Sequence, residues 1–421
     1  MKLILPVLLF ICAIARCPAE MTYKNGHWTM RSGLDNRLRY ESMGDFRSSA
    51  DDTGNVFYNR LRVRSGITLE DTCTLFIEGL DAREWTHSAP RRGNYDDLDL
   101  HQAYIEAGEI GGSPLTMKLG RQKISYGKKR MLSAPTWSNK IRAFDAALVG
   151  LDTAPVKADL FAGYVISYED SKFNEHNDDE SLVGIYGTVT PRKNVLVDIY
   201  LLGKDRTTGT DTNTVEQERR TVGVRANVIT DSRLEIDAEA AYQFGDDGNL
   251  DVSAYAFACY VQQGLEGPMK PSLKAEFHIA SGDSDASDDK SGTFMPPYQT
   301  THGPYGIIDF FKLQNMREIA LSCTFSPTDT TKVQPEIHAY WLDDTNDSWY
   351  RSSGKTLWTK SADSSPSSYA GSELSLVARQ AVAAGLKAEA GYSAFLCGDV
   401  ADEISDDDVV HYGYVQVTFE L

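Results

Sequence analysis

Apolar and polar residues alternate with a period of two through almost the whole chain. In one such run Leu234, Ile236, Ala238, Ala240, Tyr242 and Phe244 share a face, with Glu235, Asp237, Glu239 and Gln243 opposite. Leu273, Ala275, Phe277 and Ile279 alternate with Lys274, Glu276 and His278, and Val222, Val224, Ala226 and Val228 with Thr221, Arg225 and Asn227. That period marks a strand with one apolar and one polar face. Runs of about ten residues exceed the roughly 5–6 of an average soluble strand and suit one that crosses a membrane.

No other route across a bilayer is open to the mature chain. Apart from Leu3–Ile14 near the start, no apolar run approaches the roughly 20 residues that a membrane helix needs. A closed barrel is the remaining structure that satisfies every backbone group in lipid. Lys2, the short apolar core and the small residues after it mark residues 1–19 as a signal peptide, cleaved after Ala15 or Ala19. Residues 20–421 then form one barrel domain.

The links between runs support this more sharply than the runs do. About eighteen runs fit between 32–42 and 411–421, with sixteen as the alternative count. Links after even-numbered runs are short, as at 111–113, 191–193, 230–232 and 383–385. Links after odd-numbered runs are mostly long, notably 123–141, 281–315 and 344–370. The expected fold is all-β: a single transmembrane antiparallel β-barrel with short periplasmic turns and long outer loops.

Charge is distributed unevenly. The chain carries a net −18, and much of the acid lies in the expected outer loops 169–180, 283–289 and 399–408. The polar faces of the first runs are cationic: Arg37 with Arg39, and Arg60, Arg62 and Arg64 with Leu61 and Val63 between them. An arginine in lipid costs roughly 2–4 kcal/mol at the midplane, so these side chains must face the lumen. There, low-dielectric walls focus their field on passing anions. Lys118, Arg142 and Arg225 fall on inward faces as well. The other reading pairs these cations with lumen carboxylates such as Glu78, Glu106, Asp198 and Glu235. Strict alternation from Leu119 puts Arg121 on the lipid side, whereas a bulge at Gly120 would turn it inward.

The stretch 114–151 joins two runs through a basic, aromatic link. It carries G-R-Q-x5-G-x2-R, then W-S-N, then F-D, on Gly120, Arg121, Gln122, Gly127, Arg130, Trp137, Ser138, Asn139, Phe144 and Asp145. With the block Ala280–Gly306, this resembles the alginate export family of bacterial outer-membrane β-barrels. The resemblance implies the outer membrane of a Gram-negative-type bacterium and a passive channel for an alginate-like, uronate-bearing polysaccharide or its oligomers. It also favours the inward setting of Arg121. The pore-lining set expected is Arg39, Arg60, Arg62, Arg64, Lys118, Arg121, Arg130, Arg142 and Arg225. Trp137 would offer a stacking surface, Asn139 a hydrogen bond to a sugar, and Asp145 an anchor for a neighbouring arginine. Expected partners are the anionic polysaccharide, outer-membrane lipid and lipopolysaccharide, with periplasmic synthesis or scaffold proteins as candidates and no nucleic acid. A general anion- or nutrient-selective porin, and a secreted β-rich enzyme or lectin for acidic sugars, are the alternatives.

The link 123–141 mixes Met131, Leu132 and Trp137 with its cations. It is too apolar to stand in solvent and is expected to fold into the lumen. No catalytic motif is present, and the chain is not expected to be an enzyme or to carry a cofactor. The histidines lack metal-binding spacing, and Cys73, Cys259, Cys323 and Cys397 form no CxxC pair. Asp283, Asp285 and Asp289 could offer oxygens to Ca²⁺, but the loop lacks the EF-hand glycine and closing glutamate. A solvated acidic loop is the preferred reading there.

Overall fold

The computed structural model describes residues 20–44, 54–86, 94–169, 172–210, 213–362 and 364–421. The signal peptide expected over 1–19 lies outside them. Among the described residues, eighteen antiparallel strands close on themselves. The first nine are β1 Trp28–Met43, β2 Gly54–Leu69, β3 Cys73–Thr86, β4 Asp96–Ala107, β5 Leu115–Gln122, β6 Phe144–Thr153, β7 Val156–Ile166, β8 His176–Arg192 and β9 Val195–Thr210. The rest are β10 Asn213–Ile229, β11 Leu234–Asp247, β12 Leu250–Gly264, β13 Ser272–Ala280, β14 Met316–Thr328, β15 Thr331–Trp341, β16 Tyr369–Ala383, β17 Leu386–Cys397 and β18 Val409–Glu420. Each strand pairs with the next. Closure comes from β1 against β18, in a register running from Asp35↔Glu420 to Met43↔Tyr412. A short strand, Met21–Asn25, continues along β1 beyond the C-terminus.

Burial follows the alternation in the inverted sense of a membrane barrel. Leu119, Val222, Val224, Ile236, Leu273 and Ile319 are exposed on the outside, where lipid replaces water as their solvent. Arg37, Arg39, Arg60, Asp198, Arg225, Asp237, Glu318 and Glu373 are buried within. Tyr40, Phe57 and Trp85 are exposed neighbours near the long-loop end, a position that suits an interfacial aromatic girdle. Every turn at the other end is short. Two hairpins depart from the long-loop pattern: β9 and β10 run on to Thr210 and Asn213, and β11 and β12 to Asp247 and Leu250. Sequence reading places the β9 and β10 ends near 204 and 218, because the polar stretch between them loses the apolar face that identifies a strand.

The core is not a conventional one. It lies inside the barrel, where the segments 123–143 and 281–315 enter and fill part of the lumen. Ile124, Met131, Leu132, Phe294, Ile308, Phe310, Phe311 and Leu313 from these segments pack with wall residues Phe161, Tyr200, Tyr340 and Phe395. The inward fold expected for 123–141 is what the structure shows. Trp349–Tyr350 and Thr356–Trp358, between β15 and β16, pair as a small separate hairpin, and the Trp349 indole nitrogen donates to the Phe310 carbonyl at 3.0 Å.

Candidate functional site

The two inserted segments are tied to each other and to one sector of the wall, in which only β17 and β18 separate β16 from β1. Tyr298 and Thr300 donate backbone amides to the carbonyls of Met131 and Lys129 at 2.9 and 3.0 Å. The Glu373 carboxylate on β16 accepts the amides of Ile307 and Ile308 at 2.8 and 3.2 Å, and the Ser393 hydroxyl at 2.8 Å. Beyond β17 and β18, β1 and β2 hold the first segment through arginines. Arg37 donates to the Thr136 carbonyl at 2.9 Å, Arg39 to Trp137 at 2.7 Å, and Arg60 to Thr136 and Ser138 at 2.7 and 3.1 Å. Carbonyl oxygens from one turn of loop therefore occupy three lumen guanidiniums.

Most of the expected cations point inward, and most are paired. Arg39 meets Glu41 at 2.7 Å, Arg62 meets Asp35 at 3.0 Å, and Arg60 lies 3.7 Å from Asp35. Arg64 packs over Gly33, where an added Cβ would come within 3.1 Å of its guanidinium. Lys118 sits 3.8 Å over the Tyr104 ring and 3.9 Å from Glu106. Arg130 reaches Asp237 and Glu239, both at 3.0 Å, and Arg225 bridges Asp198 and Asp237 at 2.6 and 2.7 Å. Arg142 donates to the Ser133 carbonyl at 2.9 Å and lies 5.0 Å over the Tyr298 ring. The expected ladder is thus largely a network holding loops and walls together.

Four expectations need correction. Arg121 does not line the lumen. Gly120 does take a positive φ of 123°, but pairing runs through it without a slip, Tyr104↔Gly120 and Ala103↔Arg121. Arg121 therefore stays on the face of Leu119, bound to both Asp145 oxygens at 2.8 and 3.0 Å and to the carbonyls of Leu100 and Asn174. Asp145 holds an arginine, as expected, but outside the pore. Asn139 is fully buried: Arg37 donates to its side-chain oxygen, and its amide nitrogen lies 3.1–3.2 Å from the carbonyls of Asn59, Arg83 and Asn94. Trp137 offers no free face. The His302 imidazole stacks on it with centroids 3.5 Å apart and planes within 2°, and the Arg39 guanidinium lies 3.8 Å from the ring centre. Two planar groups at such separations must occupy opposite faces, so the indole is sandwiched.

The acidic loop uses the Asp283 and Asp285 carboxylates in its own turns. Asp283 accepts the amide of Asp285, and Asp285 accepts the amide and hydroxyl of Ser287. Asp289 gives its carbonyl to the Asp251 amide. No group of three or more metal-ligating side chains comes together among the described residues.

Three cavities surround the sandwich. One of about 490 Å³ opens toward the long loops and is lined by Arg39, Glu41, Tyr58, Asp309, Arg351 and Lys355, among others. A second, of about 460 Å³, opens toward the short turns beside Asp35, Arg37, Arg60, Arg62, Lys129 and Glu420. The first two share Pro135, Trp137, Thr300 and His302 as a common wall. A third, of about 380 Å³, lies beside Lys128, Arg130, Lys274, Glu276, Glu336 and Arg379, and again His302.

Arg351, Lys355, Lys312 and His302 escaped sequence reading. They sit in long links, where no period tells which way a side chain points. Burial pushes the Arg351 guanidinium down to about 10. Lys312, whose amine lies 3.5 Å from where a Gly354 Cβ would stand, is pushed down to about 8, by burial first and then by the cations Lys204 and Arg142.

The sequence profile described as "Alginate export" matches residues 29–413. No curated protein matches the sequence. Among solved structures, Acinetobacter baumannii OccAB2 is similar at a TM-score of 0.63 and 9% identity, covering 93% of this chain and 97% of that one. Pseudomonas aeruginosa OccK11 (OpdR) is similar at a TM-score of 0.59 and 13% identity, covering 93% and 96%. Pseudomonas aeruginosa OccD3 (OpdP) is similar at 0.59 and 11%, covering 95% and 92%. These likenesses concern the fold. The family match spans nearly the whole barrel, and the chain belongs to the alginate export family, as an outer-membrane channel.

Proposed function

We propose that this member of the alginate export family passes an anionic, uronate-bearing polysaccharide or its oligomers through a cation-lined lumen. The observation that carries this reading is local charge. In a chain of net −18, the long-loop cavity gathers Arg39, Arg351 and Lys355 against Glu41 and Asp309. The short-turn cavity gathers Arg37, Arg60, Arg62 and Lys129 against Asp35, Glu389 and Glu420. Selectivity follows the field at the constriction, and outer-loop acids beyond a Debye length of about 8 Å are screened at physiological salt. Movement needs sites weak enough to leave, which suits cations already shared with carbonyls and carboxylates. No residue has a catalytic role in this reading, and periplasmic synthesis or scaffold proteins would feed the short-turn end.

A second reading has its own support. The third cavity sets Lys128, Arg130, Lys274 and Arg379 against Glu235, Glu276, Glu336 and Glu389, an even balance that suits a porin for small solutes of mixed charge. Reversal potentials in planar bilayers separate the two. Wild-type channels should be anion-selective, and Lys129→Glu with Arg351→Glu should shift the potential toward cations. A cation-selective wild type would favour the general porin.

A further inference from the structure

His302 borders all three cavities and Trp137 two of them, so their stack, with Pro135 and Thr300, forms the wall between the long-loop and short-turn cavities. Its two halves are held very differently. Trp137 is fixed by the Arg39 guanidinium on its far face, by the Tyr414 ring edge at 4.8 Å and 71°, and by the arginine bonds to the carbonyls of residues 136–138. Among the described residues His302 has one side-chain hydrogen bond, between Nδ1 and Asp309 Oδ2 at 3.0 Å, and a longer edge contact with the same Tyr414 ring, at 6.0 Å. Next to it Gly303 is exposed, with a φ of +93° and nothing within 4 Å of an added Cβ. The chain is anchored again at Thr300 before the tip and at Ile307 and Ile308 after it. Residues 302–304 thus form the tip of a turn that is closed on itself by Gly303 N–H to Gly306 O at 2.8 Å and Tyr305 N–H to Thr301 O at 3.3 Å. This unit rests on a rigid plate and can move only as a whole.

We propose that this tip is the movable half of a closure and that the Trp137 face beneath His302 is a binding face for a pyranose ring. The saccharide half of the proposal rests on the polyuronate reading; the closure half does not. A flat imidazole stacked on indole occupies the position that a sugar's apolar face takes on an aromatic ring. Withdrawing it joins the long-loop and short-turn cavities and uncovers the plate. The charge of Arg39 lies behind the plate, Lys129 on its short-turn side and Lys355 on its long-loop side. The resident imidazole and an arriving sugar would then compete for one face, and substrate would hold the passage open.

Single-channel recording of the full barrel in potassium chloride tests the closure without any saccharide. His302→Ala should raise conductance severalfold, and Asp309→Ala, which releases the tether, should raise the open fraction. If both variants behave as wild type, the closure is wrong. Titrating uronate oligomers then tests the face: His302→Ala should strengthen block severalfold and Trp137→Ala should abolish it. Block that is unaffected by Trp137→Ala overturns the sugar face while leaving the polyuronate reading intact. Raised conductance without block in any variant keeps the closure and overturns both the sugar face and the polyuronate reading.

Discussion

The Arg60 guanidinium donates to the Thr136 carbonyl at 2.7 Å, joining the wall of the barrel to the tip of a loop that entered through its mouth. A hydrogen bond from a charged donor contributes about 1.5–3 kcal/mol, and Arg37 makes a second to the same oxygen. The double variant Arg37→Ala, Arg60→Ala should therefore loosen the loop without opening the barrel. Amide hydrogen exchange over residues 134–139 should accelerate while the wall strands stay protected. Unchanged exchange would mean that apolar packing alone holds the loop.

Arg130 should matter to stability more than to transport. It faces Asp237 and Glu239, both buried, and removing one partner of a buried pair costs about 3–5 kcal/mol because a charge is left uncompensated. Arg130→Ala should lower the temperature at which the barrel unfolds in detergent. Adding Glu239→Gln should recover part of the loss. Equal unfolding of Arg130→Ala and wild type would show that Arg225 on Asp237 and the Tyr200 hydroxyl on Glu239 satisfy the acidic wall without it.

Selectivity should fall as pH rises past neutrality. Lys312 has its pKa pushed down to about 8, so its charge is present below that pH and lost above it. Anion selectivity should decline between about pH 7 and 9 in wild type. Lys312→Gln should remove this step. A pH profile that Lys312→Gln leaves unaltered would place the titrating group elsewhere.

Arg121 separates periodicity from resemblance. It lies on the outer face against Asp145, so Arg121→Ala should leave the reversal potential where it is. A shift toward cations would put the side chain in the lumen after all.

That residue also shows what was legible beforehand. The strands, their number and the inward setting of Arg39, Arg60, Arg62 and Arg225 follow from a period of two and the cost of a charge in lipid. These are local facts. Strict alternation placed Arg121 correctly where the family resemblance did not, because Gly120 adopts a positive φ without slipping the register. The partners of the arginines were out of reach. Whether Arg39 meets Glu41, the Trp137 carbonyl or a passing anion depends on where a loop about a hundred residues away in sequence comes to rest. His302 carries no metal-binding spacing, and nothing local marks it as the partner of Trp137. The nearest signal is the run His302–Gly306, whose two glycines allow a tight turn just before the apolar stretch Ile307–Leu313.

The central claim is that the lumen accepts a polyanionic saccharide, and competition between charged and neutral oligomers of equal length tests it most directly. Uronate oligomers added to wild-type channels in planar bilayers at about 0.15 M salt should interrupt the current in a length-dependent way, while neutral glucose oligomers of the same length should pass unnoticed. Equal block by both, or by neither, would contradict the claim.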